Sequence, residues 1–122
     1  MKPAHQLGRA GEDLAKAHLI NKDYAIRATN VHIGKLEIDI VAEKDGVLII
    51  VEVRTRSTDW YMQPELSVGY HKMQHLMRAA QGYVNFCNWK GETRFDVIAV
   101  VRHEDGSFRI DHFEDAFQSG SV

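Results

Sequence analysis

The sequence has little of several things, and each shortage excludes something. It has one cysteine, Cys87, so no internal disulfide can form, and a reducing compartment is expected. It has two prolines and no Pro/Gly-rich or low-complexity stretch, which leaves no linker to divide the chain. No internal repeat is present. The longest apolar run, Val47 to Val51, is far too short to span a bilayer. Met1-Lys2-Pro3-Ala4-His5 leads into no apolar segment, so no signal peptide is expected. Excess positive charge is also missing: 15 basic residues stand against 17 acidic ones, a net charge of −2. That balance argues against a protein that coats nucleic acid nonspecifically. A local site stays open, because clustered charges matter more than their sum. The expectation is one cytoplasmic domain, residues 1–122, with no membrane contact.

What is present suits a packed core. Hydrophobic residues make up 44% and charged residues 26%, which excludes a disordered chain. At 122 residues the chain can bury roughly two-thirds of its unfolded surface. Seven histidines make its charge sensitive to pH just below neutrality.

Periodicity supplies the elements. Gln6 to Asn21 reads as a helix, with Leu7, Ala10, Leu14 and Ala17 on one face and Arg9, Asp13 and Lys16 on the other. Tyr24 to Val31 reads as a strand. Leu36 to Ala42 alternates, placing Leu36, Ile38, Ile40 and Ala42 on one face and Glu37, Asp39 and Val41 on the other. Asp45-Gly46 is a strong hairpin signal, and Val47 to Thr55 follows it, apolar on both faces like a central strand. Ser57 to Pro64 is an irregular loop carrying Trp60 and Tyr61. Tyr70 to Phe86 reads as a second helix with a stripe of Met73, Leu76, Met77, Ala80, Tyr83 and Val84. Arg94 to Val101 and Phe108 to Phe113 read as strands. The order helix, three strands, helix, two strands predicts an α/β sandwich around a mixed sheet.

A two-residue loop at Asp45-Gly46 pairs Lys44 with Val47. Continued along the ladder, it sets Asp39 opposite Glu52 and Glu37 opposite Arg54. Such neighbours have Cβ atoms ~4.5–5.5 Å apart, and opposed carboxylates are destabilising unless a proton or a cation intervenes. Glu52 follows Val47-Leu48-Ile49-Ile50-Val51, so the pair is expected to be partly buried. A hard divalent cation, Mg²⁺ or Mn²⁺, would offset the cost of dehydrating it. The alternative is a plain ion-pair ladder, Glu37 to Arg54, with Asp39 and Glu52 in solvent. Glu37 is either a third ligand or, preferentially, the partner of Arg54.

Gly34-Lys35-Leu36-Glu37-Ile38-Asp39-Ile40-Val41-Ala42, followed by Val51-Glu52-Val53-Arg54-Thr55-Arg56, resembles the YraN family. So do Gly8-Arg9-Ala10-Gly11-Glu12, Lys72 with Ala79-Ala80, and Arg94-Phe95-Asp96-Val97-Ile98. The resemblance covers nearly the whole chain. That family is similar to the PD-(D/E)xK nuclease superfamily and, within it, to archaeal Holliday-junction resolvases. The resemblance implies a restriction-endonuclease-like three-layer sandwich, a central mixed sheet flanked by helices. It also implies Mg²⁺- or Mn²⁺-dependent cleavage of DNA, of branched or damaged forms among others. In that pattern Asp39 and Glu52 are catalytic metal ligands and Glu12 is a third acidic residue reaching the metal. Arg54 stands where the pattern has lysine. Arginine stays protonated and planar, so it can stabilise charge on phosphate but cannot act as a base. Ile38 stands where the pattern has proline.

Other residues carry weaker signals. Arg56, Lys72, Gln74 and Arg78 are candidate phosphate contacts, or else a solvated surface. Glu12 is alternatively a helix N-terminal acid stabilised by the helix dipole. His71 and His75 have a zinc-compatible spacing but no evident third ligand. Trp60 and Tyr61 either stack on bases or pack on the domain. Cys87 has nothing nearby to make it a nucleophile. The expected partner is nucleic acid, with DNA preferred. A homodimer is expected only by analogy, since a four-way junction offers two symmetric cleavage points. The competing expectations are a noncatalytic nucleic-acid-binding module on a nuclease fold, and a protein-interaction domain.

Overall fold

The structure, a computed structural model, describes residues 3–57 and 69–118, with side chains from residue 8 onward. The chain runs α1 (Pro3–Asn21), β1 (Ala25–Ile33), β2 (Leu36–Lys44), β3 (Val47–Arg56), α2 (Tyr70–Cys87), β4 (Glu92–Arg102) and β5 (Phe108–Phe117). The five strands form one sheet in sequence order. Every pairing is antiparallel except β3 with β4, and α2 lies in the crossover that this parallel pair requires. The helices cover opposite faces. Leu48 and Ile50 pack into a core with Leu76, Ala79, Ala80 and Tyr83 of α2. Ile49 and Val51 pack into a second core with Ala15 and Leu19 of α1. This is the α/β three-layer sandwich that the sequence pattern and the resemblance predicted. It explains why β3 reads as an unbroken apolar run: both of its faces are covered. Among the described residues no helix is long and apolar enough to cross a membrane.

The hairpin between β2 and β3 turns at Asp45 (φ 53°) and Gly46 (φ 79°), the doubly positive geometry of a two-residue type I′ turn. Lys44 pairs with Val47, as the sequence predicted.

Helix α1 differs from expectation. Its buried ridge is Gly11, Ala15 and Leu19, while Ala17 is exposed and Leu14 is half-buried. The cause is steric. The backbone at Gly11 lies so close to Thr55 of β3 that an added Cβ would collide with the Thr55 side chain. Only a glycine allows that approach, and it turns the small-residue ridge of the helix, rather than Ala17, to the sheet.

The far edge is fixed by Asp96 of β4, whose side chain is fully buried. Its carboxylate accepts hydrogen bonds from Arg94 Nε and Nη2 (2.8 Å each), from the Asp115 backbone N–H (3.0 Å) and from His112 Nε2 (2.7 Å). His112 Nδ1 lies 3.2 Å from His18 Nε2 at the end of α1, and Arg94 Nη2 also donates to the buried Tyr24 hydroxyl at 2.9 Å. One carboxylate thus ties β4, β5 and the end of α1 together. Burial alone would raise the Asp96 pKa, but the bonds from Arg94, His112 and Asp115 outweigh it and hold the pKa below its usual value.

Two outcomes are expected. Asp96→Ala removes the two 2.8 Å bonds of Arg94, leaves it only the exposed Glu114 at 3.5 Å as a counter-charge, and unpairs His112 and the Asp115 amide, so it should cost about 3–5 kcal/mol in urea unfolding at pH 7. The Asp96 contribution is fully present above the ordinary carboxylate pKa of about 4 and is lost as the pH falls through the lower folded value, so the difference between wild type and variant should shrink in acid. Gly11→Ala should cost roughly 1–3 kcal/mol, because Thr55 is β-branched and stiff and cannot swing aside. The same urea titrations measure it.

Candidate active site

The β2–β3 ladder is regular from the turn to Ile40, which pairs with Val51, and stops there. In an unbroken ladder the next hydrogen-bonded pair would be Ile38 and Val53. Instead the Val53 N–H donates to Asp39 Oδ2 at 2.8 Å. A side chain has replaced a backbone acceptor. The alternation resets at the same place: Ile38 joins the core under α2, whereas Ile40 joins the core under α1. Opposite this point on β1, Asn30 adopts a left-handed conformation (φ 50°) between the pairs Thr29–Ile40 and Val31–Ile38. The expected single face of Leu36, Ile38, Ile40 and Ala42 is therefore split, and the split frees the Asp39 carboxylate from the pleat.

Glu52 lies on the α2 side of β3 and is only 3 % exposed. Its Oε1 is buried with no hydrogen-bond partner among the described residues. Its Oε2 faces two cations, Arg54 Nη1 and Lys72 Nζ, each at 3.5 Å. Burial, then the Asp39 charge, pushes the Glu52 pKa up to about 7, against the opposing pull of Lys72 and Arg54. A hydrogen bond between the two carboxyl groups adds to the rise. Glu12 enters from α1, one residue beyond the close approach at Gly11. Burial and then the Asp39 charge raise its pKa, while the Asn30 side chain hydrogen-bonds it and pulls the other way.

Glu12, Asp39, Glu52 and Arg54 are thus brought into one electrostatic cluster. The plain ion-pair ladder is excluded, because Glu52 is buried and does not splay into solvent. The preferred partner of Arg54 is corrected as well. Glu37 pairs across the sheet with His32, 3.9 Å away, and Arg54 turns to Glu52. The reason is the early end of the ladder, which removes the register that would have opposed Glu37 to Arg54.

The candidate phosphate contacts separate. Lys72 is not simply a surface cation but reaches Glu52. Gln74 and Arg78 lie about 200° and 240° round the helix from Lys72, so they are not turned to the carboxylates with it. Arg56 is half-buried, and its Nη1 donates to the Thr55 carbonyl at 3.0 Å. His71 and His75 are both exposed. Cys87 is a free, half-buried thiol at the end of α2. Trp60 and Tyr61 lie outside the described residues. Sequence reasoning missed Asn30, whose signal was only that asparagine tolerates a left-handed backbone.

The donor set fits a hard cation. Among the described residues no three His, Cys, Asp or Glu side chains form a ready-made metal cage. Mg²⁺ does not need one: it uses one or two carboxylates and fills its remaining positions with water and substrate oxygens. The orphaned Glu52 Oε1 beside the Asp39 carboxylate is the kind of buried, unsatisfied acceptor that a cation would satisfy.

The raised Glu52 pKa has a definite sign in stability. The folded state holds a proton that the unfolded state releases near pH 4.5, so stability falls as the pH rises through about 7. Glu52→Gln keeps the neutral form at every pH. It should exceed wild type by roughly 1–3 kcal/mol at pH 8 and lose most of that advantage by pH 5, as read from urea unfolding without divalent ions.

Residues 11–100 match the family described as "Uncharacterised protein family UPF0102". A "UPF0102 protein" of Bacteroides thetaiotaomicron is 44% identical over 117 residues, covering 96% of each chain. A "UPF0102 protein" of Parabacteroides distasonis is 41% identical over 117 residues, again covering 96% of each chain. "UPF0102 protein FP2501" of Flavobacterium psychrophilum is 44% identical, covering 96% of this chain and 98% of its own. The chain belongs to the UPF0102 family, the YraN family that its motifs resemble.

Proposed function

We propose that this protein is a metal-dependent endonuclease that hydrolyses phosphodiester bonds in DNA. The observation that supports this reading best is the buried Glu52, with one oxygen unpartnered among the described residues, beside Asp39 at the point where the ladder breaks. Asp39 and Glu52 would hold the metal, and Glu12 would reach it through water. Mg²⁺ or Mn²⁺ bound there supplies a Lewis acid for the scissile phosphate and acidifies water.

The protein's own residues do the rest. The Val53 N–H fixes the Asp39 carboxylate, so its orientation does not depend on the ligand. Arg54, held against Glu52 and half-buried, offers a permanent positive charge to the phosphate as negative charge develops there. In the overall reaction one water is consumed. Its oxygen bonds to phosphorus as one ester P–O bond breaks, one of its protons ends on the departing alcohol, and the other stays on the new phosphate or leaves to solvent. Branched or damaged DNA is the substrate class that the family resemblance favours. A second copy of the chain would present two sites to a symmetric junction.

The noncatalytic alternative rests on a specific observation: arginine, which cannot serve as a base, occupies position 54. One experiment separates the readings. Linear, flapped and four-way DNA are incubated with Mg²⁺ or Mn²⁺ and either wild type or Asp39→Ala. The wild type should cleave at least one of them, and the variant should be slower by roughly a hundredfold or more. Salt-dependent binding without turnover would establish the binding module instead. Undiminished cleavage by Asp39→Ala would remove the metal site from these residues.

A further inference from the structure

Asp96 does more than fix the far edge. Its carboxylate accepts the Nε2–H of His112 at 2.7 Å, which leaves the lone pair of the neutral ring on Nδ1. That Nδ1 faces His18 Nε2 from 3.2 Å away. The two rings stand edge to face, with centroids 5.2 Å apart and planes at 72°. His18 lies in the last turn of α1 and His112 on the edge strand β5, 94 positions later in the chain. Two histidine nitrogens on one tetrahedral zinc ion, each at 2.0–2.1 Å, are themselves roughly 3.3 Å apart. The pair is already close to that spacing, so an ion needs the rings to tilt and not to travel. A carboxylate bonded to the far ring nitrogen is also the support that metal-bound histidines regularly carry, and the buried Asp96 supplies it to His112.

The surroundings admit a cation. Both rings line a cavity of about 180 Å³ with Lys22, Tyr24, Lys44 and Glu114. Glu114 is exposed and meets Arg94 Nη1 at 3.5 Å, a contact loose enough to give up for a metal. Lys44 is turned to other work: it donates to the Lys22 carbonyl at 2.8 Å, and its ammonium lies 4.8 Å from the centre of the Tyr24 ring. The end of α1 adds the negative pole of the helix dipole. We infer that His18 Nε2 and His112 Nδ1 bind a zinc ion, with Glu114 and water completing its four ligands. His18 passes its ring proton from Nε2 to Nδ1 through solvent, so both lone pairs meet the ion and no proton is lost overall. Among the described residues no three such side chains stand as a ready-made cage, so the site closes as Glu114 turns in, and its affinity is micromolar. Imidazole ligands select zinc over Mg²⁺, which suits the oxygen ligands Asp39 and Glu52 instead. The ion would fasten the end of α1 to β5, whether or not the nuclease reading holds.

Zinc chloride titrated into the full chain tests this. The chain carries His71→Gln and His75→Gln, which removes the exposed pair on α2, and Mg²⁺ is kept in excess to occupy the carboxylates. Calorimetry should show one zinc ion bound per chain with micromolar affinity. His18→Gln, added to that parent, should weaken binding about tenfold or more. Glu114→Gln should weaken it several-fold, and an unchanged affinity strikes Glu114 from the ligand set. A readout without these substitutions is the NMR spectrum of the histidine rings: zinc should shift the signals of His18 and His112 and leave those of His32 and His103 in place. That spectrum decides the matter if His18→Gln fails to fold, which a thermal melt reveals. The inference falls if saturating zinc leaves the His18 and His112 signals unmoved, if folded His18→Gln binds zinc as tightly as its parent, or if excess Mg²⁺ abolishes zinc uptake.

Discussion

A carboxylate buried on a central strand must be compensated, and the compensation of Glu52 organises the whole site. β3 is apolar on both faces because a helix layer covers each side of the sheet. Taking an anion out of water there costs several kcal/mol even after relaxation. Arg54 and Lys72 return part of that cost, while the neighbouring Asp39 carboxylate adds to it. The return is incomplete, since one oxygen has no partner among the described residues and the pKa stands near 7. Unrelieved strain of this kind clusters at functional sites, and it is what supports the proposed reading of Glu52.

Much of the fold was legible because its signals are local. The Asp-Gly turn set the β2–β3 register, and the unbroken apolar run identified β3 as central. The stripe of α2 was legible because Leu76, Ala80 and Tyr83 recur at helical spacing. The misreadings share a different origin. Ile38 and Ile40 share a face in any regular strand, and nothing in their neighbourhood says that Asp39 will take the Val53 amide and reset the pleat. That event depends on Asn30, nine residues away on another strand. The face of α1 was misassigned for a similar reason, since the contact between Gly11 and Thr55 spans most of the first half of the chain. The nearness of the carboxylates was legible because the turn sets the two strands side by side, although the ladder itself ends at Ile40 and Val51, one pair short of Asp39 and Glu52. Lys72 could be named but not placed, because the path through the crossover carries no pattern.

Two acids on neighbouring parallel strands show what sequence could not tell apart. Asp96 and Glu52 both follow apolar residues, both are buried, and each has an arginine two positions away. Arg94 grips Asp96 with two bonds of 2.8 Å, and His112 and the Asp115 amide complete the set. Every lone pair has a use, the pKa falls below the ordinary value, and the residue holds strands and helix in place. Arg54 meets Glu52 through one contact at 3.5 Å, and the pKa rises. Residue type, burial and spacing are nearly the same, so the difference lies in the count of donors, which only the fold decides. A saturated carboxylate has nothing left to offer a ligand. An unsaturated one, held rigidly beside a second, gains free energy from any cation that reaches it. The net charge of −2 is consistent with this division, because part of it sits where a bound cation would neutralise it.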